Sequence, residues 1–110
     1  MSRDYPKAVR RQLRELRAQA HENELAAELV KLAGKFDEWR SGRISAGELT
    51  DLIHAYHNGP ARQLWSYYNA GDDDLLVASA FVTGVLKQSD VPEDVRQHIQ
   101  GLIEFCRRND

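Results

Sequence analysis

Between Pro6 and Gly42 the chain carries two apolar stripes at helical spacing that cannot face the same way. Val9, Leu13, Leu16 and Ala20 make the first. Leu25, Leu29, Leu32, Phe36 and Trp39 make the second, with Ala33 beside it. At 100° per residue the second stripe lies roughly 150° round from the first on a straight helix. Either the chain bends near His21–Asn23, or one long helix buries opposite sides at its two ends. No Gly or Pro stands between Ala18 and Glu24, which favours the unbroken helix. On that reading the first half projects without a core of its own and needs a second subunit, most simply across a two-fold axis. Val9, Leu13 and Leu16 are then the self-association residues, and a homodimer is expected.

The remaining punctuation is consistent with helices throughout. The first helix is expected to start near Pro6, with Asp4 or Tyr5 at its cap. Gly42 can close its far end in the left-handed conformation. Ser45 and Glu48 form a Ser-x-x-Glu capping box, and Ile44 with Leu49 forms the hydrophobic staple that accompanies one. A tight corner at 41–45 follows. The next helix turns Leu49, Leu52, Ile53 and Tyr56 inward until Asn58-Gly59-Pro60 ends it and opens another. There Ala61, Leu64, Trp65 and Tyr68 make a stripe, and Tyr67 falls to the side as a candidate contact residue. Gly71 stops that helix, and Asp72, Asp73 and Asp74 supply a cap and negative charge for the following one. The segment 72–88 is apolar nearly all round, so it is expected at the centre of the core. Pro92 opens a last helix with Val95, Ile99, Leu102, Ile103 and Cys106 inward and His98 at the edge of that stripe. Strand-like alternation is absent. The expected fold is all-α: a compact bundle of about five helices at 6–40, 45–57, 60–70, 72–88 and 92–107. It forms one domain over 1–110, with 1–20 projecting as a basic amphipathic helix.

Charge is distributed unevenly. Residues 1–20 carry Arg3, Lys7, Arg10, Arg11, Arg14 and Arg17 against Asp4 and Glu15, a local +4 in a chain whose net charge is −2. The basic side chains gather opposite the first apolar stripe. Lys7, Arg10, Arg11, Arg14 and Arg17 are therefore the candidate partner surface, for nucleic-acid phosphate, an anionic surface or an acidic protein groove. Base-reading residues and interleaved aromatics are missing, which weakens the nucleic-acid reading. A single cysteine builds no internal disulfide, no apolar leader segment precedes the first helix, and no apolar run is long enough to span a bilayer. A cytoplasmic protein is expected.

Residues 37–48 resemble a degenerate EF-hand loop. Asp37 stands at its first position, Gly42 at its sixth, Ile44 at its eighth and Glu48 at its twelfth. Trp39, Ser41 and Arg43 occupy the third, fifth and seventh positions, so most calcium ligands are lacking and a capped corner explains the residues without metal. Asp51, His54 and His57, three apart, suggest half of a carboxylate–histidine site whose other half is absent. The aspartate triplet does not share a helix face, and Cys106 lies on an apolar stripe with no base beside it. No phosphate loop, nucleophile elbow or zinc motif occurs. Catalytic, cofactor and metal residues are accordingly expected to be none. Over 36–68 the pattern FDEW…G-I-S…E-L…L-I-H…H-N-G-P-A-R…L…Y resembles a set of short, uncharacterised all-helical proteins from bacteria. That resemblance implies an all-helical fold and no particular activity. The expected function is a non-enzymatic protein-interaction module that self-associates, with nucleic-acid binding through the basic face as the alternative.

Overall fold

The computed structural model describes residues 4–109, so Arg3 lies outside the described residues. Among these the chain is all-helical. Helix α1 (Lys7–Arg40) runs unbroken through His21–Asn23. Its 34 residues, about 51 Å at ~1.5 Å each, set the long axis of a body measuring 54 × 27 × 25 Å. Pro6 stands at the N-cap and no side chain caps the helix. Tyr5 instead donates its hydroxyl to Asp74 Oδ2 at 2.9 Å.

The first half of α1 does not project. Val9, Leu13, Leu16 and Ala20 are all buried in the chain's own core. They pack with α4 (Asp73–Thr83), α5 (Glu93–His98) and α6 (Gln100–Arg108). This corrects the expectation that Val9, Leu13 and Leu16 await a second subunit. Their stripe is the natural seat for α4, whose Leu76, Val77, Ala78, Ala80 and Phe81 are buried. Burying a side chain of this size stabilises by about 1.5–3 kcal/mol, so these helices supply most of the core's driving force.

Helix α4 stops at Thr83, short of the expected 88, because Gly84 takes φ +85° and turns the chain. The Leu86 amide then returns to the Ala80 carbonyl at 3.1 Å, and Leu86 enters the core. The expected single helix 92–107 is broken at Ile99, whose amide is shared between the Val95 and Arg96 carbonyls. Residues spaced by four drift about 40° per step on a straight helix. The break offsets that drift, and Val95, Ile99 and Ile103 all stay buried.

The second half of α1 forms an arm with α2 (Ala46–Tyr56) and α3 (Arg62–Ala70). The corner forms where the sequence puts it. Gly42 has φ +81°, the Arg43 amide reaches the Glu38 carbonyl at 2.8 Å, and the Glu48 amide donates to Ser45 Oγ at 3.0 Å. Asn58-Gly59-Pro60 does not end the helix. A π turn, His57–Ala61, carries α2 into α3. Proline lacks an amide proton, and its ring would strike the carbonyl four residues back in an α-helix. One wide turn relieves that collision at Pro60 without breaking the rod. No helix among the described residues is long and apolar enough to cross a membrane.

Candidate functional site

The change of side on α1 runs through polar residues. Arg17, His21, Glu24 and Glu28 follow at i, i+4, i+7 and i+11, so they form a stripe of their own. Helix α3 crosses this stripe and Tyr68 is its centre. The Tyr68 hydroxyl donates to the Glu24 carboxylate, and its ring stacks on His21 with centroids 4.9 Å apart. Arg17 donates to the Tyr68 carbonyl at 3.2 Å and pairs with Asp73 at 3.1 Å. Burial first, then the hydrogen bond and charge of Glu24, pushes the Tyr68 phenol far above its ordinary range. It therefore stays a donor at any physiological pH. His21 Nε2 is buried without a hydrogen-bond partner.

Beside this centre lies a cleft of about 780 Å³ between α1, α3 and the end of α4. Ala27, Leu64, Ala80 and Val85 provide apolar lining, and Tyr67 and Tyr68 add aromatic surface. Glu24, Glu28 and Lys31 add charge from α1. Lys31 is tied to Glu28 at 2.7 Å. Pro60 of the π turn also lines the cleft, and π turns recur at functional sites. Of the residues the sequence offered as candidate contact residues only Tyr67 lines this cleft; Leu64 and Tyr68 were expected as core, and Pro60 as a helix boundary. The usable signal was the Glu24–Glu28–Lys31 spacing on one side of α1; the positions from α3 and α4 depend on tertiary packing.

A second surface lies on the arm. Leu29, Ile53 and Trp65 are 49%, 38% and 62% exposed. Leu29 sits about 60° from Leu32, Ile53 about 40° from Leu49, and Trp65 about 60° from Tyr68, all in the same rotational sense. On antiparallel neighbours, equal senses open onto the same side, so the three share one face of the arm. Trp65 was expected inward with Leu64 and Tyr68. Helix α3 packs on α1 and, through Tyr68 and Leu64, on the core cluster, and among the described residues no element covers its Trp65 flank, so the indole stays out.

The basic residues fare unequally. Lys7, Arg10, Arg11 and Arg14 are exposed on α1 opposite the core. Arg11 faces Glu15 at 3.9 Å, and Lys7, Arg10 and Arg14 make no ion pair among the described residues. Arg17 is taken up by Asp73 and Tyr68 and leaves the candidate partner surface. Asp37 pairs with Arg40 at 3.2 Å inside α1, and Glu48 stands across the corner in α2. Asp51, His54 and His57 are exposed. Among the described residues no group of three or more His, Cys, Asp or Glu could hold a metal ion. The aspartate triplet is divided: Asp72 makes no side-chain cap, Asp73 holds Arg17, and buried Asp74 accepts from Tyr5 and from the Leu75 amide.

The chain matches no protein-family model, no curated protein and no solved structure.

Proposed function

We propose that this protein is a non-enzymatic helical interaction module that self-associates through the exposed face of its arm. The observation that carries this is the outward set of Leu29, Ile53 and Trp65 on the arm of α1, α2 and α3, in which Leu49 is the only buried residue of α2. A hairpin of two helices hides one stripe of each; a second hairpin laid against it hides the flanks as well. The arm offers a footprint of roughly 25 by 20 Å, ~500 Å² per protomer, near the lower bound of ~1,000 Å² in total for a specific interface. Trp65 at its edge is the residue type that most often dominates such contacts. The half-buried single Cys106 and the absence of disulfides fit a cytoplasmic setting. Size-exclusion chromatography with light scattering tests the proposal. The full chain is expected to run as a dimer, and Leu29→Ser with Trp65→Ser as a folded monomer. A wild-type monomer at high micromolar concentration overturns it.

A second reading, nucleic-acid binding, is supported by the exposed basic face of Lys7, Arg10 and Arg14, which make no ion pair among the described residues. It requires an affinity that falls steeply with salt and drops when these three are changed to glutamate. Absence of binding at low salt removes it.

A further inference from the structure

The cleft beside Tyr67 is independent of the arm's apolar face, and its chemistry selects a ligand. Three features give it one electrostatic sign. Glu24 and Glu28 bring carboxylates. Helix α4 ends at its wall, with Ala80 and Thr83 in the lining and no basic residue in the last turn. The negative end of that helix dipole thus carries no cationic side chain of its own, although the Thr83 hydroxyl donates to the Ser79 carbonyl at 3.0 Å. Lys31, the one cation in the lining among the described residues, is held by Glu28 at 2.7 Å. The Tyr67 ring, half exposed, stands edge-on to Tyr68 at 4.9 Å and presents surface to the opening.

We infer that this cleft binds a small organic ammonium ion with an apolar body. The ammonium meets Glu24 and the α4 terminus, and the aromatic face of Tyr67 adds a cation–π contact. The apolar body rests on Ala27, Leu64 and Val85. The volume, about 780 Å³, falls within the range of small-molecule sites. Pro60 and its π turn wall the cleft, so the wide turn of the α2–α3 rod would be part of the ligand's seat.

The test is a set of ¹H–¹⁵N correlation titrations of the full chain at neutral pH with three probes of one shape. They are 2-phenylethylammonium, the neutral 2-phenylethanol and the anionic 3-phenylpropanoate. The ammonium is expected to shift the amides of Glu24, Ala27, Tyr67 and Thr83 saturably, with the other two probes at least about tenfold weaker. Glu24→Gln keeps an oxygen to accept the Tyr68 proton and removes only the charge. It should weaken the ammonium about tenfold, with a modest drop in melting temperature because the Tyr68 hydroxyl then donates to a neutral acceptor. Tyr67→Ala, on an exposed side chain outside the α1–α3 hydrogen bonds, should also weaken it and serves as the second variant if Glu24→Gln disturbs folding. Equal binding of all three probes, shifts scattered away from the cleft, or no saturable shift overturns the inference. Neither variant lies on the Leu29–Ile53–Trp65 face, so the outcome is separable from self-association.

Discussion

The Tyr68 hydroxyl donates to the Glu24 carboxylate at the level where α1 exchanges one buried side for the other. Above it the helix leans on α4; below it the helix leans on α2. Tyr68 thus ties the core to the arm. Tyr68→Phe removes a part-buried bond to a charged group, which is worth about 1.5–3 kcal/mol. Urea titration at neutral pH is expected to show a loss of that size with secondary structure retained.

The same bond makes stability pH-dependent. The folded phenol holds its proton far above the ordinary tyrosine range, whereas the unfolded phenol ionises near pH ~10. The unfolded state then binds fewer protons than the folded one, so stability falls as pH rises. The contribution is complete below pH ~10 and is lost above it at up to ~1.4 kcal/mol per unit. Titrations repeated near pH ~11 should therefore bring wild type and Tyr68→Phe closer together than at neutral pH. An equal gap at both values would mean that the phenol is not the linked group.

How much of this was legible depends on the reach of each signal. The Gly42–Ser45–Glu48 corner was readable because its bonds span only a few residues. The apolar run at 75–82 was readable as a core helix because so wide an apolar surface needs cover on most sides, though Leu75 at its start stays 40% exposed. The two stripes of α1 were also visible, and so was the unbroken helix. Which stripe had a partner within the chain was not, since that depends on where α4 lands, some 60 residues along. Trp65 was misjudged because a periodic stripe marks a face but not the width of what covers it. The π turn hid behind Asn58-Gly59-Pro60, which elsewhere signals a stop. The cleft draws on three helices, and no local pattern anticipates such a meeting.

The reassignment of the first stripe has a direct consequence. Leu13 is 2% exposed within the core, and Leu29 is half exposed on the arm. Leu13→Ala should cost about 2–5 kcal/mol through lost burial and a residual cavity. Leu29→Ala should cost less than about 1 kcal/mol of protomer stability. Denaturation at low protein concentration separates the two, and comparable losses would contradict this division of α1.

Arg14 and Arg17 make a second contrast, between neighbours one turn apart. Among the described residues Arg14 makes no ion pair, whereas Arg17 joins Asp73 and the Tyr68 carbonyl. Arg17→Ala is expected to lower stability by about 1–2 kcal/mol, since two part-buried acceptors lose their donor. Arg14→Ala should lie within about 0.5 kcal/mol of wild type. Thermal melts of both variants at moderate salt provide the check.

The π turn supplies the most demanding prediction. His57–Ala61 holds one residue more than an α-helical path would use, and that residue sets the rotation of α3 relative to α2. Deleting Asn58 removes the extra residue, so the turn can close to α-helical winding with α3 at its present rotation, but it sets the Pro60 ring against the carbonyl four residues back. Tyr68 then keeps Glu24 and His21, and the deletion is expected to cost about 3 kcal/mol, the penalty of a proline inside an α-helix. Pro60→Ala restores an amide proton and removes the ring clash, so it permits the rod to return to α-helical winding. If the π turn exists to accommodate Pro60, this variant should rewind the turn with the extra residue retained, swing α3 by about 100° away from Glu24, and shift the amide resonances of 57–70 and of the facing part of α1 while leaving those of α5 and α6 in place. If the turn is held by the Tyr68 contacts instead, those resonances stay put and the variant is at least as stable as wild type.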